Sequence, residues 1–139
     1  MIDELTYAKE MLIRGEYSLV VCSGGYVYTS SDRGIKPLLE IVDDENLQHC
    51  CASDKIVGKA AAMLYVLLKA ESVYAEVMSA DAVKVFENYG IKFEYKELTD
   101  KIINRDKSGL CPMELAVKDI DDPGKAREAI ERKIKTLAS

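Results

Sequence analysis

Two short stretches of the chain carry the residue types that chemistry needs. The first contains Ser53, Asp54, Lys55, Gly58 and Lys59, and runs into an uncharged stretch from Ala60 to Leu68. A helix that is apolar all round is buried. Ser53 or Asp54 suits its cap, so the pattern predicts a helix from Lys55 to about Lys69. Lys55 and Lys59, four residues apart, would then share one face near its N-terminus. Cations there are disfavoured by the macrodipole, by roughly 0.3–1 kcal/mol each at exposed sites. Gly58 costs about 1 kcal/mol against Ala in a helix interior. Both choices make sense if an anion docks at the helix mouth among N–H groups and ammonium groups. They make equal sense if Asp54 and nearby acids neutralise the lysines and Gly58 permits close packing. The stretch is no phosphate-binding P-loop, since Ser53 stands where the first glycine belongs and Ala60 replaces Ser/Thr.

The second stretch is Ser108 to Glu114. Cys111 precedes Pro112 at an expected helix start, where a thiol can be acidified into a nucleophile. Glu114 stands at capping-box distance from Cys111 and could turn back to its N–H. Arg105 and Lys107 are the basic residues close by in sequence. Three roles stay open for Cys111: a catalytic or redox thiol aided by Asp54 or a lysine, a pocket wall, or a buried structural residue. A Cys–His pair would require His49, the one histidine, to reach Cys111. His49, Cys50 and Cys51 are consecutive, whereas structural zinc sites use ligand pairs two to four residues apart. No metal site and no cofactor are expected.

The elements that must position these residues follow from periodicity. Leu5, Ala8 and Leu12 mark an amphipathic helix over Asp3–Arg14, with Gly15 as its stop. Tyr17–Cys22 and Tyr26–Ser30 flank Gly24-Gly25 and read as a hairpin with a primed turn. A short helix follows Pro37. After the buried helix, Ser72–Val77 reads as a strand, Ser79-Ala80-Asp81 starts a helix facing inward with Val83, Val85 and Phe86, and Gly90 ends it. Ile91–Tyr95 is the next strand, and strand–helix–strand implies a parallel pair. Leu98–Ile103 reads as a short helix, Arg105–Gly109 as a loop and Pro112–Val117 as a helix. A terminal helix begins at Asp122-Pro123 and carries Ala126, Ile130, Ile134 and Leu137 on its apolar stripe.

The whole fits one α/β domain over residues 1–139, in three layers, with a mixed sheet of an N-terminal hairpin plus parallel strands and helices on both faces. Of the 139 residues, 48% are hydrophobic and 31% charged, which excludes a disordered chain. Net charge is −5, so sequence-independent nucleic-acid binding is not expected. No apolar run reaches the ~18 residues of a membrane span. The acidic start Met1-Ile2-Asp3-Glu4 lacks the basic region of a secretory signal. The expected location is the cytoplasm, where the four cysteines would stay reduced.

The element order, together with Val73–Tyr95 and its turn at Asn88-Tyr-Gly-Ile, resembles the cytidine deaminase-like fold. More closely, Asp54-Lys-Ile-Val-Gly-Lys-Ala-Ala-Ala62 and Ser108-Gly-Leu-Cys-Pro-Met-Glu114 resemble an uncharacterised bacterial family, domain of unknown function 1893. The likeness spans most of the chain, and this family implies no established activity. Zinc deaminases carry His-x-Glu or Cys-x-Glu at the start of the buried helix and Pro-Cys-x-x-Cys at the start of the next. Here those places read Ala52-Ser-Asp-Lys55 and Met78-Ser-Ala-Asp-Ala82, without ligands or the catalytic Glu. Hydrolytic deamination through zinc is therefore not expected. The leading expectation is a zinc-free deaminase-like domain that binds a small anion, a nucleotide or nucleoside derivative, through Ser53, Asp54, Lys55, Gly58, Lys59, Ser108 and Glu114. The rival expectations are an enzyme using Cys111, and a structural or regulatory interaction domain. A homo-oligomer is compatible with each.

Overall fold

A computed structural model describes residues 3–103 and 109–138. Helix α1 (Glu4–Arg14) is capped by Asp3, whose carboxylate accepts from the Thr6 N–H, and it buries Ala8 and Leu12. Strands β1 (Leu19–Ser23) and β2 (Tyr26–Ser30) form the expected hairpin. Gly24 and Gly25 take φ of 53° and 93°, the left-handed conformation that a primed turn demands. A short helix α2 (Lys36–Ile41) has Pro37 in its first turn.

The expectation for residues 53–58 is overturned. Cys51–Val57 is strand β3, and helix α3 runs from Lys59 to Leu67 with Gly58 as its N-cap. Ser53 and Asp54 cap nothing, and Lys55 lies exposed on a strand instead of on the face of Lys59. The reason is long-range pairing. β3 is bonded antiparallel to β1 on one side and parallel to β4 (Ser72–Ser79) on the other. A strand held by two neighbours needs little hydrophobic pattern of its own. The expectation for α3 itself holds, since Ala60–Tyr65 are all buried.

Helix α4 (Ala80–Tyr89) is capped by the Ser79 hydroxyl and closed by Gly90 at φ 69°. Strand β5 (Lys92–Thr99) pairs parallel with β4 and is longer than expected. It therefore replaces the start of the short helix expected over Leu98–Ile103. Beyond it, Ile103 bridges back to Leu110. Helix α5 (Pro112–Val117) and helix α6 (Pro123–Ala138) complete the chain.

The sheet order is β2-β1-β3-β4-β5. On one face α1 covers a small core of Ala8, Leu12, Val20, Cys22 and Tyr74. On the other, α2 to α6 enclose the main core, centred on Tyr65, Phe86, Leu64, Met78 and Ile130. The fold is the three-layer α/β arrangement with a mixed sheet. Among the described residues, no helix is long and apolar enough to cross a membrane.

Candidate functional site

The parallel half of the sheet fixes where a site can form. β3 and β4 each lead into a helix, so their C-terminal ends and the N-termini of α3 and α4 face one crevice. Open α/β sheets bind ligands at such places. Gly58 offers no side chain to cap α3. The cap comes instead from Glu114 on α5, whose carboxylate accepts the Lys59 N–H at 2.7 Å and the Ala60 N–H at 2.9 Å. The contact is close enough that a Cβ on Gly58 would stand 2.3 Å from Glu114 Oε1. Lys59 returns the tie, since its Nζ donates to the Lys118 carbonyl at the end of α5 at 3.0 Å. Asp121, fully exposed, lies 3.8 Å from the same ammonium group.

Beside this double tie lies a cavity of about 100 Å³. Its polar wall is made by Lys59, Lys101, Lys118, Glu114, Asp81 and Ser79, and Ile102 and Leu110 close it. Lys101 Nζ lies 3.7 Å from Asp81, an exposed pair of little strength. The Ser79 hydroxyl is committed to the Ala82 N–H at 3.1 Å. Burial pushes the Glu114 carboxyl above the usual range and Asp81 adds to this, while the amides of Ala60 and Lys59 and the Lys59 charge pull it back. The residues of the wall thus include three lysines and two acids, one of them, Glu114, held at a helix N-terminus.

The expected site residues divide into three groups. Gly58, Lys59 and Glu114 come together at the mouth of α3. Ser53, Asp54 and Lys55 stand on β3, outside the cavity wall. Ser53 is fully buried beneath α1, and its hydroxyl is without a partner among the described residues. Asp54 accepts the Tyr65 hydroxyl at 2.8 Å, and burial raises its carboxyl to about 7 against that hydrogen bond. Ser108, Arg105 and Lys107 lie outside the described residues.

Cys111 is half-buried at the start of α5. Its N–H donates to Ile102 O at 3.0 Å, so the expected capping box with Glu114 does not form. The Glu114 carboxylate is used at α3 instead. His49 does not approach Cys111. Its N–H bonds to Leu68 O at the far end of α3, the end opposite Glu114. The buried thiols are inert by comparison, with Cys22 pushed by burial to about 11 and Cys50 to about 12. Among the described residues, no three His, Cys, Asp or Glu side chains are grouped to hold a metal.

Ser79, Asp81, Lys101 and Lys118 were not singled out by the sequence. Ser79 and Asp81 carried a usable signal, because a helix start that follows a parallel strand borders the crevice. Lys101 and Lys118 carried none, since tertiary packing alone brings them there.

The family model described as a domain of unknown function, DUF1893, matches residues 7–134. The crystal structure of a DUF1893 family protein from Thermotoga maritima (TM1506) superposes with a TM-score of 0.83. It is 31% identical, and the match covers 98% of this chain and 92% of that one. No curated protein matches the chain.

Proposed function

The chain belongs to the DUF1893 family, and on that premise we propose that it is a zinc-free, cytidine deaminase-like domain that binds a small anionic ligand. The sheet order β2-β1-β3-β4-β5, with two strand–helix–strand units, supports the deaminase-like reading. Zinc does not fit. The two helix starts read Gly58-Lys59-Ala60 and Ser79-Ala80-Asp81. They supply one carboxylate, no thiolate and no imidazole, and Lys59 would repel a cation. Placing the first helix start at Lys59 moves the comparison with zinc deaminases four residues along the chain and leaves the ligand set just as empty.

The observation that carries the anion reading is that Lys59, Lys101 and Lys118 all line one small cavity at the starts of α3 and α4. Ammonium groups favour negative charge, and the N-terminus of α3 already holds one anion, the Glu114 carboxylate. The cavity volume of about 100 Å³ is below the ~300 Å³ at which pockets enclose a whole drug-sized molecule. It suits a phosphate or carboxylate group, with the rest of a nucleotide or nucleoside derivative lying outside. A thermal-shift series with inorganic phosphate, nucleoside monophosphates and the matching nucleosides tests this. Phosphate-bearing compounds should stabilise the protein, by about 2.7 kcal/mol at 100 times the dissociation constant, and the nucleosides should do less. No shift with any anion, or an equal shift in the Lys101→Met variant, would refute the proposal.

A further inference from the structure

The outer edge of β5 carries a second kind of information. β5 is eight residues long, closes one side of the sheet and is exposed along most of its length. The Lys92 N–H bonds inward to Glu71 O. In a parallel ladder the main-chain groups of alternate residues point the same way. Lys92, Glu94, Lys96 and Leu98 thus bond to β4, whereas the N–H and C=O groups of Phe93, Tyr95 and Glu97 face outward. No described residue pairs with them. Such an edge is a template for another strand.

We propose that β5 pairs antiparallel with β5 of a second copy, about a two-fold axis through Tyr95, joining the two sheets edge to edge. Charge pattern and strand length together select this register, since an axis at Phe93 would also oppose Lys92 and Glu94 but would pair only residues 92–94 of the strand. A perpendicular two-fold axis sets residues that point to the same face opposite one another. With the axis at Tyr95, Glu94, whose carboxylate also meets Lys9 of its own chain, lies opposite Lys96 of the second copy, and Lys96 opposite its Glu94. Moving the axis to Glu94 sets two glutamates face to face and Lys92 against Lys96. Moving it to Lys96 sets two lysines face to face. Opposite charges across a ladder stabilise it and like charges oppose it.

The hydrogen-bonding groups agree with the same register. Tyr95 faces outward with both its N–H and its C=O, so Tyr95 and its counterpart exchange a pair of bonds, and Phe93 does so with Glu97 of the second copy. The side chains add to this. Phe86, Phe93 and Tyr95 form a stacked ring series with centroids 6.1 and 6.5 Å apart. Tyr95, 39% exposed, is its open end, and a second Tyr95 opposite would continue the series. The other edge, β2, is five residues long and carries no charge that could fix a register.

The test is the oligomeric state by sedimentation velocity over a wide concentration range. The wild-type chain should be a dimer in reversible equilibrium. Lys96→Glu places two glutamates opposite each other twice, and should raise the dimer dissociation constant by roughly tenfold or more. A triple variant, Lys9→Glu with Glu94→Lys and Lys96→Glu, keeps an ion pair between positions 9 and 94 of one chain, restores opposite charges in the same register and should restore the dimer. All three side chains reach solvent, and circular dichroism checks that each variant is folded. A monomeric wild-type chain would overturn the proposal. So would a Lys96→Glu variant that dimerises as well as wild type, or a triple variant that stays monomeric.

Discussion

The Glu114 carboxylate occupies the space in which a side chain on Gly58 would stand. A Cβ there would meet Oε1 at 2.3 Å and the carboxyl carbon at 2.5 Å. Gly58 has φ −102° and ψ −171°, which any residue adopts. The glycine is therefore required by the approach of α5, not by its own backbone.

Gly58→Ala should act through Glu114. The glutamate is flexible and would swing away, leaving the amides of Lys59 and Ala60 without their acceptor. The expected loss is about 1–3 kcal/mol, reduced by a few tenths because alanine stiffens the unfolded chain. In a Glu114→Ala background the same change should cost nothing further. Urea unfolding of the four proteins in this cycle measures the coupling, and equal costs in both backgrounds would show that Glu114 is not the obstacle.

Asp54 gives stability a pH dependence of unusual sign. Burial raises its carboxyl in the fold from 3.8 to about 7. The folded state therefore binds the proton more tightly than the unfolded state does. Its contribution is fully present below about pH 4 and is lost as pH rises towards about 7. The slope reaches about 1.4 kcal/mol per pH unit for one proton. Asp54→Asn keeps an acceptor for the Tyr65 hydroxyl and removes the titration. Unfolding free energies from pH 4.5 to 8 should show the variant gaining on wild type as pH rises. Parallel curves would refute this. Glu114 shifts in the same direction, so the difference between the two curves is the quantity to read.

The lysines should separate by position. Lys101→Met should weaken phosphate binding by about 1.5–3 kcal/mol, the worth of a hydrogen bond to a charged group. Lys55→Met, on the exposed part of β3, should leave affinity unchanged. Calorimetric titration with inorganic phosphate distinguishes them, and an equal effect of both changes would point to non-specific attraction.

Brief alkylation of the folded protein should modify Cys111 before the other three cysteines. Cys111 is half-buried, while Cys22, Cys50 and Cys51 are buried, with thiols raised by burial. Peptide mass spectrometry reads the order. Early labelling of Cys50 would contradict the packing around β3.

The parts of the fold visible in the sequence are those with a local cause. Asp3 and Ser79 cap their helices, Gly24-Gly25 turns the hairpin and Gly90 stops α4, each through its own backbone or side chain. β3 was hidden because Ser53, Asp54 and Lys55 make a poor strand in isolation, and only β1 and β4 hold them there. Mistaking these residues for a helix start moved Lys55 into the site and left Gly58 as an interior residue instead of a cap. Gly58, Lys59 and Glu114 were still legible as residues with unusual placement. That Glu114 reaches α3 could not be read from its spacing to Cys111, which suggested a local cap.

The bond from Glu114 to Lys59 spans 55 residues of sequence. A chain made from its N-terminus completes β3 and α3 long before residue 114 exists, and α3 then begins with unmet N–H groups. Closing so long a loop is entropically costly and depends on the rest of the core to hold its ends near. The mouth of the crevice is accordingly closed only once α5 has been made. A nascent or truncated chain that ends before α5 has every strand of the sheet and no finished cavity, so this site exists only on a chain that includes α5.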